Sequence, residues 1–334
     1  METRTLDRPP SILPLYARAA APLIPGASLL PFLPGGGGEI PELELELPGL
    51  MTDPEAVAAY ARVCGFTLRD QLPPTYPHVL AFPLHMALMA DGRFPFGAVG
   101  LVHLANRIDQ RRPLSLGEAL TLRARPTALQ PHPKGRTFTI VAEARTSGGE
   151  LAWESVSTFL RRGHGDPSEV APDPSAPVPA MRGQRNGSEA RDLAALPANA
   201  EWRLGSDLGR RYAAVSGDRN PIHMHALTAR PLGFPAAIAH GMWTKARCLA
   251  ALESRLPDAF AVEVSFRRPI LLPAEVEFAS LEEDHGSAAG GEIEFAVRDA
   301  RRAIPHLDGH LSPEAMQQPR PTPKATKQSR GKAK

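Results

Sequence analysis

The sequence predicts an α+β protein built from two copies of one unit, in which a long helix is followed by antiparallel strands. Residues 99–123 and 260–280 share one pattern: an alternating strand, an Arg-Pro turn, a small residue before Glu, and another strand. Upstream of these, residues 82–91 and 237–246 each place a His before an apolar helical stretch. A Pro-rich linker at residues 163–198 separates the two copies.

The first copy is assigned to residues 41–162, and its pattern predicts a strand, a helix and further strands. Residues 42–47 alternate Glu with Leu, as in a strand with one buried face. Asp53 and Pro54 then form the N-cap and first position of a helix. Further strands are predicted at residues 99–108, 119–126, 136–145 and 152–160.

Three other segments complete the predicted domain organisation. Residues 1–40 hold several prolines and end in a run of glycines, which predicts a loosely structured N-terminal segment. The second copy is assigned to residues 199–312, and its long helix is expected to begin at Ala236. Residues 313–334 are rich in Pro and Lys, which predicts a disordered basic tail.

Charge and cysteine content argue against several functional classes. The chain carries 38 Lys and Arg against 36 Asp and Glu, and this balance argues against a nucleic-acid-binding protein. Neither a membrane span nor a secretory signal pattern is recognisable, so we expect a cytoplasmic protein that does not bind membranes. Cys64 and Cys248 lack metal-ligand spacing and are expected to be reduced, buried thiols.

Residues 212–225, with the sequence YAAVSGDRNPIHMH, concentrate side chains that can move protons. Gly217 frees the backbone before Asp218, and Pro221 forces a turn that can bring Asp218 and His223 to one point. A carboxylate paired with an imidazole can exchange a proton with water. The segment therefore predicts a site that holds and activates water.

Each of these residues alone also has a purely structural explanation. Ser216 or Asp218 could cap a helix, and Asn220 could form an ordinary turn with the following proline. His223 could be a satisfied core or surface histidine. An acid, an amide and an imidazole together exceed what one cap requires, so we interpret the segment as functional.

A glycine in the first turns of the expected long helix adds a second chemical feature. Gly241 weakens a helix by about 1 kcal/mol, which makes sense if a ligand must approach its backbone. Free N–H groups near a helix N-terminus favour a developing negative oxygen. With a water activator, such a donor could add water to an enoyl thioester or remove it. Close packing of Gly241 against another element is the alternative.

The segment resembles the signature of the MaoC-like, (R)-specific enoyl-CoA hydratases, also called hydratase 2. That signature has an aromatic residue, small or apolar residues, Gly-Asp-x-Asn-Pro-aliphatic-His and, further on, a small residue. The matching positions are Tyr212, Val215, Ser216, Gly217, Asp218, Asn220, Pro221, Ile222, His223 and Ala229. Residues 229–243 and 264–276 also look similar to the family.

The resemblance implies a double hot-dog fold, in which each long helix is wrapped by an antiparallel sheet and one chain replaces a dimer. It implies that Asp218 and His223 hold and activate water and that Asn220 orients the loop or the pair. Gly241 would donate its backbone N–H to the thioester oxygen. We assign substrate binding to Ser216, Gly217 and His240.

The first copy departs from the family pattern. It contains no Gly-Asp-x-Asn-Pro-x-His motif, and His85-Met86 stands where the second copy has His240-Gly241. A Met side chain would obstruct the close approach that Gly permits. We interpret the first copy as one that has lost its chemistry and gained room for a long or bulky acyl chain.

The predicted function is the hydration of a trans-2-enoyl-CoA to a (3R)-3-hydroxyacyl-CoA, or the reverse dehydration. No cofactor and no metal are expected, because His223, His225 and His240 lack a supporting ligand set with recognised spacing. Two alternatives stay open: dehydration of a 3-hydroxyacyl group on an acyl carrier protein, and a non-catalytic acyl-thioester-binding protein of the same fold. We expect a monomer or a homodimer. Acyl chain length, direction and the division of proton transfers stay open.

Three arginines near the motif are candidates for contacts with CoA phosphates, and each equally fits an ordinary surface charge. They are Arg219, Arg267 and Arg268.

Overall fold

In the computed structural model, a strand, helices and four long strands follow one another in the same order in both halves. The structure describes residues 1–20, 38–98, 100–127, 129–163, 196–283 and 291–313. The strands are β1 (Glu2–Thr5), β2 (Leu43–Leu50), β3 (Leu101–Gln110), β4 (Leu120–Pro126), β5 (Gln130–His132), β6 (Gly135–Thr146), β7 (Leu151–Arg162), β8 (Ala200–Leu204), β9 (Phe260–Phe266), β10 (Ala274–Glu283), β11 (Glu292–Asp299) and β12 (Pro305–Ser312).

The helices precede the long strands of each half. None of those in the described residues is long and apolar enough to cross a membrane. They are α1 (Ile12–Ala20), α2 (Pro54–Cys64), α3 (Tyr76–Met89), α4 (Leu208–Ser216), α5 (Pro221–Met224), α6 (Ala226–Ala229) and α7 (Gly241–Ala251), with short 3-10 turns at Arg230–Leu232 and Glu253–Arg255.

The strands join into one sheet in the order β1-β2-β4-β6-β7-β3-β9-β12-β11-β10-β8, with β5 paired to β6. Leaving aside β1 and β5, the strands of each half run from the outer edge as first, third, fourth, fifth and second. The halves meet where β3 and β9 pair antiparallel, with Ala105 opposite Ser265 and Gln110 opposite Phe260. This repeated order confirms the predicted α+β repeat and the double hot-dog fold.

Apolar side chains of both halves form one hydrophobic core. Helix α3 packs on β2, β4 and β6, where Leu84 and Leu88 are fully buried. Ala246 and Leu249 of α7 are buried to the same extent. Because the halves share this core, separating them would expose apolar surface to water.

The two predicted helix starts have different outcomes. Asp53 accepts a hydrogen bond of 3.0 Å from the Glu55 N–H at the start of α2, as predicted. The second long helix begins at Gly241, and the prediction of Ala236 was wrong. Residues 236–240 instead pair with the chain before β10, and the Ala239 N–H donates to the Ile270 carbonyl at 3.0 Å.

The prediction for the N-terminal segment also needs correction. Within residues 1–40, β1 pairs in parallel with β2 at the edge of the sheet, and α1 follows it. Leu15 and Tyr16 pack against the core, so tertiary contacts hold residues that the prolines suggested were loose. Residues 21–37 of the predicted segment lie outside the described residues. The predicted linker at residues 163–198 and the tail at residues 313–334 fall almost entirely outside the described residues.

Candidate active site

The chain turns sharply between α4 and α5, and this turn carries Asp218. Gly217 ends α4 in the left-handed conformation, with φ of 75°. The Ser216 hydroxyl accepts a hydrogen bond of 3.2 Å from the Asp218 N–H. Asp218 Oδ1 in turn accepts one of 3.1 Å from the Asn220 N–H. Local hydrogen bonds therefore hold the carboxylate at the tip of the turn.

The residues after the turn determine the position and the tautomer of the His223 imidazole. Asn220 is extended before the proline and caps α5, because its Oδ1 accepts a hydrogen bond of 3.4 Å from the Ile222 N–H. His223 Nδ1 lies 2.8 Å from the carbonyl oxygen of Ile238. A carbonyl only accepts, so Nδ1 carries the proton and Nε2 of the neutral ring is free to accept one.

A second imidazole, that of His240, precedes α7 and contacts both groups. Its Nε2 donates a hydrogen bond of 3.0 Å to the backbone oxygen of Asp218 and lies 3.8 Å from Asp218 Oδ2. The ring stacks on that of His223 with centroids 3.6 Å apart. One polar side-chain atom from each of Asp218, His223 and His240 lies within 4.8 Å of the others.

This trio is poorly arranged for a shared metal ion. One nitrogen of each imidazole already donates to a carbonyl oxygen. The rings stack with centroids 3.6 Å apart and planes inclined by only 23°, so lone pairs that lie in the two ring planes do not meet at one ion. The donor set fits proton transfer better than metal binding.

Burial and neighbouring groups set the charge of each member. Burial lowers the pKa of His240 to about 3 and also lowers the pKa of His223, so both rings are neutral at pH 7. Burial acts to raise the pKa of Asp218, but the two imidazoles, a tyrosine hydroxyl and the Asn220 amide outweigh it and lower that pKa. An ionised carboxylate beside a neutral imidazole can accept a proton from water.

Gly241 is the first residue of α7, so its N–H has no acceptor within the helix. A Cβ atom at this position would lie 2.9 Å from the ring of Phe266. Both explanations of the glycine therefore apply: close packing, and access to the backbone from the cavity that Gly241 lines. Its counterpart Met86 lies deep inside α3, where backbone N–H groups bond to the preceding turn.

A cavity of about 290 Å³ lies between the two halves. Asp218, His223 and Gly241 lie on the side formed by the second half. Apolar residues of the first half line the facing wall. They are Val79, Phe82, Met86, Met89, Ala98, Leu101, Val102 and Phe159.

Comparison with known proteins identifies the family of this chain. The family described as the MaoC like domain matches residues 196–301. The 3-hydroxyacyl-thioester dehydratase X of Mycobacterium tuberculosis is 36% identical over 298 residues, covering 89% of this chain and 96% of that protein. The chain belongs to the MaoC-like dehydratase family. As a family member it is an enzyme of the hydro-lyase class.

Solved structures place this MaoC-like chain in the same fold. A crystal structure of HtdX from Mycobacterium tuberculosis has a TM-score of 0.66 at 34% identity and covers 80% of this chain and 98% of that one. A MaoC-like dehydratase from Phytophthora capsici has a TM-score of 0.61 at 17% identity, covering 81% and 95%. At that identity the second match supports the fold alone.

The remaining predicted residues of this MaoC-like chain divide into two groups. Ser216, Asn220 and His240 line the cavity together with Arg267 and Arg268. Gly217 and Arg219 are not among the lining residues described. Gly217 instead has a backbone role at the end of α4, under the side chain of Ile12.

One residue next to Asp218, Tyr16, was not predicted from the sequence. The Tyr16 hydroxyl of α1 donates a hydrogen bond of 2.7 Å to Asp218 Oδ1, across a separation of 202 residues. No motif marks Tyr16, because its role depends on how α1 packs against the rest of this MaoC-like chain. Only the folded arrangement identifies it.

Proposed function

We propose that the chain catalyses the reversible hydration of a trans-2-enoyl-CoA to a (3R)-3-hydroxyacyl-CoA. The observation that carries this proposal is that Asp218, His223 and the N-terminus of α7 meet at one cavity. The name of the relative from Mycobacterium tuberculosis, 3-hydroxyacyl-thioester dehydratase X, supports the reverse reaction. The (3R) course follows the family resemblance.

Asp218 and His223 would hold one water molecule between them. As the water oxygen bonds to C3, one of its protons passes to this pair, and the π electrons move onto the thioester oxygen. The pair then supplies a proton to C2. The net change is the addition of one water without oxidation or reduction, so the reaction needs no redox cofactor.

The N-terminus of α7 would stabilise the enolate oxygen. The N–H of Gly241 is free of intrahelical bonding, Gly241 lines the cavity, and the helix dipole favours negative charge at this end of α7. Removing one donor of this kind lowers kcat roughly 10²–10³-fold. Met86 inside α3 offers no equivalent donor, so the first half would bind the acyl chain and perform no chemistry.

The carrier is proposed to be CoA. Exposed Arg162 and Arg268 line the cavity and could contact its phosphates, whereas Arg267 is engaged by Asp308. An acyl carrier protein presents the same phosphopantetheine arm, so it is the alternative carrier. The proposed site is complete within one chain, which is compatible with a monomer or a simple homodimer.

The direct test follows the loss of enoyl-thioester absorbance with crotonyl-CoA and longer enoyl-CoAs. We expect Asp218→Asn and His223→Ala to lower kcat by about 10²–10⁴. His225→Ala is the matched control, because His225 belongs to the same segment but is exposed and does not line the cavity. Equal activity of the wild type and both site variants would contradict the mechanism.

Two further results would favour the alternatives. If the wild type strongly preferred acyl-carrier-protein thioesters, its substrate would be a thioester of that protein and not of CoA. A wild type that binds enoyl thioesters but hydrates none of them would support the non-catalytic reading.

A further inference from the structure

Helix α1 lies directly over the turn that carries Asp218. A Cβ atom at Gly217 would lie 2.5 Å from Ile12 Cδ1, so the Ile12 side chain covers the turn. Tyr16 follows Ile12 by about one helical turn, and both side chains leave the same face of α1. Tyr16 also lines the cavity.

The two oxygens of the Asp218 carboxylate have different surroundings. Oδ1 accepts hydrogen bonds from the Tyr16 hydroxyl at 2.7 Å and from the Asn220 N–H at 3.1 Å. Oδ2 lies 3.8 Å from His240 Nε2, which is beyond hydrogen-bonding distance. With the side chain 28% exposed, Oδ2 is the oxygen left to meet a water molecule in the cavity.

We infer that Tyr16 is a positioning residue of this site, which holds the Asp218 carboxylate so that Oδ2 meets the reacting water. The inference rests on the proposed function. Tyr16 acts through Asp218 and does not itself exchange a proton. Burial and the adjacent carboxylate raise the pKa of Tyr16, so its hydroxyl remains a donor throughout the pH range of an assay.

The other titratable groups around Asp218 come from four more parts of the fold. Besides Tyr16 they are His223 of α5, His240 before α7, Tyr212 of α4 and His103 of β3. Burial lowers the pKa of each histidine and raises that of Tyr212, so all four are neutral at pH 7. Loss of the Tyr16 hydroxyl would therefore change the titration of Asp218 itself.

The substitution Tyr16→Phe keeps the ring and removes only the hydroxyl. We expect kcat for crotonyl-CoA to fall about ten- to hundredfold, because a hydrogen bond to a charged group contributes about this factor. KM should change little, and the acid limb of the kcat/KM profile should move to higher pH. Leu13→Ala is the matched control on the same helix, because Leu13 is 71% exposed, and it should change none of these.

A carboxyl-carbon NMR titration gives a readout that needs no turnover. The Asp218 signal, assigned with Asp218→Asn, should titrate about one pH unit higher in Tyr16→Phe than in the wild type. That result would support the inference even if no thioester were hydrated, so it separates this inference from the proposed function. Unchanged titration of Asp218, a wild-type kcat, or a rise in KM alone would overturn it.

Discussion

The imidazole of His223 stacks on that of His240, with ring centroids 3.6 Å apart and planes inclined by 23°. Two rings in contact cannot both carry a positive charge without strong repulsion. Burial and His223 together lower the pKa of His240 to about 3, so His240 is the ring that stays neutral. His240 then serves as a fixed donor to the Asp218 carbonyl, and in the proposed mechanism His223 is the ring that receives a proton.

Replacing His240 separates its donor role from proton transfer. His240→Ala removes the hydrogen bond to the Asp218 carbonyl and the surface that supports His223. We expect kcat to fall by about tenfold or more, because at least one hydrogen bond is lost. His240→Asn keeps an N–H donor and should retain more activity. Steady-state rates with crotonyl-CoA provide the measurement, and an unchanged kcat in His240→Ala would refute the role.

Gly241→Ala tests the close approach at the start of α7. The new methyl group would lie 2.9 Å from the Phe266 ring, and such overpacking costs about 1–3 kcal/mol. We expect lower stability in urea denaturation and a lower kcat. Gly163→Ala is the control, because a Cβ atom there meets only open space. The double variant Gly241→Ala/Phe266→Leu should be more stable than Gly241→Ala alone. If it is not, contact with the Phe266 ring is not the cause of the lost stability.

Lys245 links the two halves beneath the site. Its fully buried Nζ donates to the Asn106 carbonyl at 3.1 Å, to Asn106 Oδ1 at 2.6 Å and to the Val262 carbonyl at 3.1 Å. Lys245→Met would leave these oxygens without their donor at the β3–β9 junction. We expect the free energy of unfolding in urea to fall by about 3 kcal/mol. Lys134→Met, at an exposed lysine, should leave the free energy of unfolding unchanged. If the two substitutions destabilised the protein equally, Lys245 would not stabilise the contact between the halves.

Histidines buried on the wall of the cavity predict how stability depends on pH. Burial lowers the pKa of His85 to about 4 and that of His103 to about 3, against 6.5 in an unfolded chain. Below pH 6.5 the unfolded chain therefore binds protons that the folded chain does not. The free energy of unfolding should fall as the pH drops from about 6.5 towards 4, by up to about 1.4 kcal/mol per pH unit for each such histidine.

Urea denaturation between pH 7 and pH 4.5 would measure this slope. His85→Leu should reduce the slope of the unfolding free energy against pH by the contribution of about one proton, which is up to about 1.4 kcal/mol per pH unit. Leu13→Ala, at an exposed residue that does not titrate, should leave the slope unchanged. Stability that stays constant between pH 7 and pH 5 would contradict the prediction.

The turn that carries Asp218 could be predicted because its conformation depends on neighbouring residues. Gly217 adopts the left-handed conformation, and Asn220 is extended before Pro221, as these residue types favour. The cap at Asp53 follows from the same kind of local preference. The likeness of the two halves, by contrast, follows from the repeat, because two similar sequence patterns fold into units with the same strand order.

The internal repeat was sufficient for the two-copy architecture, because two similar sequences fold into two similar units. Backbone preferences over a few residues were sufficient to predict that Asp218 and His223 lie close together. Packing alone decided where α7 begins, since residues 236–240 find backbone partners in a distant segment. Packing alone also brought Tyr16 to Asp218, 202 residues away. A contact of that span depends on how whole elements fit together, which no short stretch of sequence encodes.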